Sequence, residues 1–593
     1  MPAFCYLKHS PSDAADAALA RMADRLVPGA LRHSGRVHQQ TLPGGTLLYW
    51  EAPHYPVSFA RQPDGGAALL MGEALPETGA AFAAPQVCTH PESLQLASGT
   101  FAWLRIAPDG SLRAGTDPFG LFPLYFFAGP HAFGLASHVS PLREHPEFNR
   151  TLDPVGLFRV LIENGVSGRR TLEEGARRLE IGEILSLPAD QTQPRLQHHP
   201  APWIEVPEKN SDPATAVDLS VDLSRKAIHR LLQGNASPHM LLSGGLDSRQ
   251  IAALMHERRL RPDGYTFGKP TDFEAFLAGH TARKIRARWH CLPDDLADGP
   301  GLAQLELDLL SLAGGFSTVT LRGVESAAKH GGTSLFSGLI LDAMYAPALK
   351  SVSEFPIDSF NYSLDLWINR FGVPPATLKD FALPGLPQEA LHAALAEIEA
   401  EWRAYPGDVT DRLWYTIFRH RIRPHLGGYL WKNSFYAHLK LPALDVPLVT
   451  ALRGISGELH KGRHLQRQTV VALNPALARI PLDTITTNPG SILPSRWNAW
   501  HHKRFLATLK RQGITDHEAQ RFLRIMTLNH PAWSAIREKA EPGRPLLQSW
   551  FDAEKLTAFL PPASQGPLPP AMPLAQQGRS RLLLGLMCWL QEQ

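Results

Sequence analysis

Pro238-His-Met-Leu-Leu-Ser-Gly-Gly-Leu-Asp-Ser-Arg-Gln-Ile-Ala-Ala-Leu-Met255 is the stretch from which the fold can be read. Residues 240–242 end a short buried strand. Ser243, Gly244 and Gly245 form a small flexible turn, and Asp247 and Ser248 open a helix with Ile251, Leu254 and Met255 at helical spacing. A strand, a glycine turn and a helix N-terminus together make an anion site, because backbone N–H groups point inward and the helix dipole adds partial positive charge. Gly244 and Gly245 permit a close approach that a Cβ would block. Ser243 and Ser248 can donate hydroxyl hydrogen bonds to a phosphate held there, with Leu242 at the strand end beneath it. Asp247 can hold a magnesium ion beside it.

This is not a Walker loop. The nearest string of that kind, Gly264-Tyr-Thr-Phe-Gly268-Lys269, is one residue too short and is followed by Pro270 where Ser or Thr is needed. Ser243-Gly-Gly-Leu-Asp-Ser248 instead resembles the pyrophosphate loop of N-type ATP pyrophosphatases. That resemblance implies a reaction in which ATP adenylates a substrate and leaves as AMP and pyrophosphate.

The chain of 593 residues is too long for one core and predicts two to four domains. With 44% hydrophobic and 19% charged residues it has the composition of an ordinary globular protein, and a net charge of +3 is too weak to argue for nucleic acid. Cys5, Cys88, Cys291 and Cys588 lie far apart, without zinc spacing, which predicts a reduced, cytoplasmic setting. The start of the sequence lacks the pattern of a signal peptide, and the apolar run 582–590 is about half the ~20 residues that span a bilayer.

Residues 1–200 carry short strand-like runs at 46–50, 67–71, 100–106, 124–127, 132–136 and 183–187, with helices at 13–26 and 154–164. Asp109-Gly110 is a hairpin turn. The pattern predicts an α+β sandwich. The Pro-rich residues 188–211 suggest a linker. From 212 onward strands and helices alternate: a helix opened by Asp212-Pro213, strands near 239–242, 264–267 and 333–336, helices near 248–260 and 273–288. That alternation predicts a parallel doubly wound sheet with its ligand at the carboxyl ends of the strands. Residues 360–530 are expected to be long helices. Residues 561–575 suggest a flexible Pro-rich segment before a last helix near 579–591. The expected division is 1–200, 201–540 and 541–593.

Asp117-Pro-Phe-Gly-Leu-Phe-Pro-Leu-Tyr125, Gly134-Leu-Ala-Ser-His138, Leu152-Asp-Pro and the 171–187 segment resemble the first, glutaminase-type domain of glutamine-dependent asparagine synthetases. Ser243 to Ser248, Phe267-Gly268, the 272–290 segment, Ser337-Gly-x-x-x-Asp342 and Leu441-Pro-Ala-Leu-Asp445 resemble their synthetase domain. The resemblance covers roughly residues 95–490 in the expected order. It implies nucleotide contacts from Leu242, Ser243, Gly244, Gly245, Asp247, Ser248, Phe267, Ser337 and Gly338, and magnesium ligation by Asp247 and Asp342.

The departures from that family narrow the chemistry. Members that hydrolyse glutamine need a cysteine at the mature N-terminus, whose own amine serves as base. Here the sequence begins Met1-Pro2-Ala3-Phe4, so Cys5 is expected to be a core residue and the first domain to have lost ammonia production. The family's glutamate beside the incoming amine is replaced by Leu339, and its lysine by Arg463, a fixed cation and a poor proton shuttle, with Lys461 two residues away as a possible substitute. A synthetase domain so altered is similar to the lasso peptide cyclases. The resemblance implies adenylation of an Asp or Glu side chain of a precursor core peptide and attack by the peptide's N-terminal amine. It also implies a leader-binding protein and a leader peptidase as partners.

Alternatives are a small-molecule amide synthetase (ammonia-dependent asparagine synthesis or β-lactam closure), a non-catalytic scaffold, and a tRNA-modifying enzyme. The last would need a basic stripe or zinc cysteines. Asp272 and Glu274 suit the cap of the following helix. His438 and His464 are expected in core or surface roles, and the basic run from His501 to Arg504, continuing to Lys510 and Arg511, is expected to be a solvated helix face.

Overall fold

The structure is a computed structural model that describes residues 3–8, 13–204, 208–233, 237–293, 301, 304, 307, 321–345, 355–383, 386, 388–483, 491–515, 519, 521, 527–568 and 572–592. Met1 and Pro2, residues 205–207 of the expected linker and residues 569–571 of the Pro-rich segment lie outside them.

The first two hundred residues build two six-stranded antiparallel sheets. One runs Arg177–Arg178, Tyr125–Ala128, Phe133–Ala136, Phe4–Lys8, Gly45–Glu51, Arg36–Leu42; the other Arg195–His198, Glu183–Leu187, Leu112–Thr116, Ser98–Ile106, Ala67–Leu75, Val57–Arg61. The period-two rule explains the layering. Ala67, Leu69 and Met71, with Ala102, Leu104 and Ile106, face the main core that also holds Phe4 and Leu47. Ala68, Leu70, Phe101 and Trp103 face the other way, onto Val87 and Cys88 of the helix Ala84–Thr89. Cys5 is buried in the central strand Phe4–Lys8, and burial pushes its thiol pKa far up.

The second sheet system is five-stranded and wholly parallel, in the order Arg288–Leu292, Asp263–Phe267, His239–Leu241, Ser334–Phe336, His438–Lys440. Strand order reverses between His239–Leu241 and Ser334–Phe336, so the two loops leaving these strands diverge at the switch point where doubly wound sheets bind ligands. The helices Leu246–Glu257 and Phe273–Ile285 follow the first and second strands.

Three sequence expectations need correction. Part of the expected linker is the strand Arg195–His198, whose exposed, polar residues hide its pairing with Glu183–Leu187. The helix expected to 288 stops at Ile285, where Arg286 turns left-handed (φ 58°), and Arg288–Leu292 becomes an edge strand. Beyond 360 most helices are short, and the path includes the unanticipated three-residue strand His438–Lys440 and π-helical turns at Leu364–Ile368 and Phe418–Leu426, the latter containing Pro424. Proline removes a backbone donor and so prevents one continuous helix there. The last helix is longer than expected, Leu574–Leu590, and among the described residues no helix is long and apolar enough to cross a membrane.

Buried ionic contacts join the antiparallel layers to this second half. Glu180 accepts from Arg423 Nη1 at 2.6 Å and from both terminal nitrogens of Arg419, while Arg423 Nε donates to Gly120 O at 3.1 Å. Trp203 stacks between Phe119 and Phe418, at 5.7 and 4.4 Å between ring centroids.

Candidate functional site at the switch point

The loop after His239–Leu241 is tightly self-bonded. Ser243 Oγ and Ser248 Oγ are 2.9 Å apart, Ser248 Oγ accepts from Ser243 N at 3.1 Å, and Ser243 Oγ accepts from Gly245 N at 3.1 Å. Buried Leu242 anchors the strand end, accepting from Thr266 Oγ1 at 2.6 Å. A Cβ on Gly244 would stand 3.0 Å from the Cβ atoms of Asp483 and Leu277. The second loop closes on the first: a Cβ on Gly338 would lie 2.6 Å from Asp247 Cβ and 2.8 Å from Ser248 N. Glycine is therefore required where the loop bearing Ser337, Gly338 and Asp342 crosses the helix N-terminus that carries Asp247.

Asp247 is the focus of the polar contacts. It accepts from the guanidinium of Arg463 and, at 3.0 Å, from Gln466 Nε2; Arg463 Nε in turn donates to Gln466 Oε1 at 2.8 Å. Burial pushes the Asp247 pKa up to about 6, against the pull of Arg463, and the like charge of nearby Asp342 adds to the rise. Two carboxylates that raise one another's energy, with Asp342 exposed beside the loop, fit the addition of a divalent cation. Among the described residues no group of three His, Cys, Asp or Glu could by itself hold a metal ion.

Backbone strain points to the same place. Among the described residues six non-glycine residues have positive φ, and four of them (Asn164, Gln233, Arg259 and Arg286) lie at helix C-terminal ends. The other two are Ile340 (φ 75°), two residues before Asp342, and Arg463 (φ 61°) at the start of the helix His464–Leu473. A β-branched residue in this region is an uncommon and costly conformation, of the kind held at functional sites.

The structure thus brings together Ser243, Gly244, Gly245, Asp247, Ser248, Ser337, Gly338, Asp342 and Arg463. Lys461 is not part of the cluster: its side chain is half exposed and its Nζ donates to Glu458 at 2.7 Å. Phe267 is half-buried at its strand end, with the Arg521 guanidinium over its ring at 5.8 Å. Asp272 occupies the cap position of Phe273–Ile285, but its carboxylate accepts from Lys269 N at 2.7 Å rather than from the first helical turn. His438 is a core residue paired with Glu73 at 3.3 Å.

Sequence reasoning missed three supporting residues. Arg249, fully buried, donates to Gly244 O, Ile480 O and Pro481 O and so ties the loop to the 480–483 segment. Asp483 stands against Gly244, and burial raises its pKa against the charge of Arg249. Gln466 bridges Asp247, Arg463 and Gln250. A charged residue on the inward face of an otherwise apolar helix was the one available signal for Arg249. Asp483 and Gln466 lie more than two hundred residues from the loop; Gln466 falls on an unspecified position of the Arg463–Arg467 segment and Asp483 in no motif.

No model of a known protein family matches the chain. In overall shape, matches include the glutamine phosphoribosylpyrophosphate amidotransferase of B. subtilis complexed with ADP and GMP (9% identity, 49% of this chain and 65% of that one, TM-score 0.22). A structure described as the allosteric regulatory enzyme of purine biosynthesis also matches (10% identity, 49% and 64%, TM-score 0.23). In sequence, 206 residues are 29% identical to the "Putative asparagine synthetase [glutamine-hydrolyzing]" of Mycobacterium bovis and of two Mycobacterium tuberculosis strains, a match covering 33% of this chain. It spans only 31% of the length of those relatives. Over about a third of its length, the chain is similar to a putative asparagine synthetase of mycobacteria.

Proposed function

We propose that the protein is an AMP-forming amide ligase that closes a macrolactam on a ribosomal peptide. In this reading ATP adenylates an Asp or Glu side chain, the peptide's N-terminal amine attacks the acyl carbon, and AMP and pyrophosphate leave. The observation that carries the nucleotide half is the meeting of the 243–248 loop, Asp342 and Arg463 at the switch point of the parallel sheet. Backbone N–H groups of the loop would receive the pyrophosphate, and Arg463 would stabilise charge that develops on it. Asp247 and Asp342 would hold a magnesium ion, which when bound neutralises phosphate charge and makes pyrophosphate a better leaving group. The protein otherwise acts by holding amine and acyl carbon together.

Two features support an amine brought by the substrate. Cys5 is sealed in the core with its thiol pKa pushed up, so it offers no nucleophile for glutamine hydrolysis. Leu339 packs partly buried against the core where a carboxylate would be needed to handle ammonia. The match to the mycobacterial proteins favours a second reading, amide formation on a small acid such as aspartate.

Incubation with Mg–ATP and a leader-free core peptide should release AMP and pyrophosphate and lower the peptide mass by one water. Pyrophosphate release with aspartate and ammonia but with no peptide would decide for the small-acid reading. No pyrophosphate with either would reject the ligase.

A further inference from the structure

A cluster of cations, in which Arg421 feels the charge of Asp342, is left without a task by the ligase reading. The ring of Phe371 has Arg421 over it at 4.5 Å and Arg370 at 5.4 Å, and His425 stacks on it at 6.2 Å with 13° between planes. Arg370 also covers Trp367 at 5.8 Å and, with Arg579, lines a cavity of about 340 Å³. Among the described residues neither Arg370 nor Arg421 donates a hydrogen bond or meets a carboxylate within ion-pair distance. Buried His425 Nδ1 has no partner either. By contrast, the buried guanidiniums of Arg419 and Arg423 pair with Glu180 and that of Arg453 with Asp411, while buried Arg249 donates to three backbone carbonyls.

The backbone under the cluster is unusual. Arg421 lies inside the π-helical turn Phe418–Leu426, and Arg370 follows two residues after the π-helical turn Leu364–Ile368. Such turns are rare and recur at functional sites. Burial lowers the Arg421 pKa to about 10 and the neighbouring charge of Arg370 lowers it further, with Asp342 opposing both. Half-buried Arg421 and exposed Arg370 thus share one aromatic ring with no carboxylate at ion-pair distance among the described residues, an arrangement that an anion would relieve.

Resting on the ligase reading of the cleft, we infer that Arg370 and Arg421 form a subsite on Phe371 that clamps a carboxylate of the acyl substrate. A carboxylate matches the planar guanidinium fork. Phosphate is the other source of the same chemistry, but in the proposed function the loop amides and Arg463 receive it.

The test is isothermal titration of the full chain with N-acetyl-L-glutamate, Mg–ATP and inorganic pyrophosphate as separate probes. Arg421→Gln and Arg370→Gln should each weaken N-acetylglutamate binding by roughly tenfold or more while Mg–ATP affinity changes by less than about threefold. Arg421→Lys, which keeps charge but loses the fork, should fall between. Unchanged N-acetylglutamate affinity in folded variants, checked by thermal melting, would overturn the subsite. A parallel loss for pyrophosphate would assign the pair to phosphate instead. Wild-type binding of Mg–ATP but not of N-acetylglutamate would reject the subsite and leave the nucleotide loop standing; the reverse pattern would reject the loop and leave the subsite.

Discussion

At the residue scale, the proposed chemistry centres on Asp247, which Arg463 and Gln466 hold by hydrogen bonds. Removing its charge in Asp247→Asn should lower turnover by at least about a hundredfold, the range for losing one group that stabilises developing charge. The melting temperature should hold, because burial of the ionised carboxylate is itself unfavourable. Retained pyrophosphate release in this variant would remove the magnesium assignment. The pH dependence has a definite sign. Burial pushes the Asp247 pKa to about 6, so magnesium-dependent ATP binding should weaken as pH falls through about 6. Arg463 opposes that rise, so Arg463→Gln should move the midpoint to higher pH, readable by titrating Mg–ATP across pH 5–8. Gly338→Ala tests the crossing of the two loops. Its Cβ would land 2.6 Å from Asp247 Cβ, an overpacking expected to cost about 1–3 kcal/mol in urea unfolding and to disturb ATP binding as well. A variant as stable and as active as the parent would show that the loops need not meet so closely.

Among the elements, the strand–loop–helix unit at 238–255 was legible because three signals agree: buried strand, glycine turn and amphipathic helix. The same is true of Glu183–Leu187 and Asp13–Leu26, whose bounds match the sequence reading. What was not legible had weak local signals. His438–Lys440 is a three-residue edge strand with two basic residues, fixed by a distant partner when Lys440 Nζ donates to Leu231 O and pairs with Glu73. The π-helical turn Phe418–Leu426 escapes any 3.6-residue pattern, yet it presents Arg419 and Arg423 to Glu180. Glu180→Gln leaves two buried guanidiniums with less compensation, and breaking one partner of a buried pair costs about 3–5 kcal/mol. The urea midpoint should fall accordingly with the slope unchanged. Burial pushes the Glu180 pKa up, but Arg419, Arg423 and Arg169 overcome this and hold it at about 2. Its contribution is therefore complete above about pH 4.5 and is lost as pH falls toward 2. The Gln variant should lack that acid-dependent loss, and equal acid sensitivity in both proteins would discount the pair.

For the whole molecule, the antiparallel layers and the parallel sheet share one continuous hydrophobic core, in which Phe4, Leu104, Trp203, Phe418 and Leu439 all take part. The motif strings made each half recognisable on its own, but nothing local shows that the halves are inseparable. That follows from contacts over hundreds of residues. Glu73 of one antiparallel sheet pairs with His438 and Lys440 on the edge of the parallel one, and the ring of Trp203 stacks on Phe418 at 4.4 Å. The first half thus serves as a wall for the second. Residues 208–593 expressed alone would expose the aromatic surface around Phe418 and leave Arg419 and Arg423 without Glu180. This fragment should melt without a sharp transition and bind a hydrophobic dye strongly, as compact states without fixed packing do. Adding the separately expressed 1–204 segment should restore cooperative melting and Mg–ATP binding if both segments stay soluble. A fragment 208–593 that melts cooperatively and binds Mg–ATP like the full chain would show instead that the nucleotide site needs no such wall.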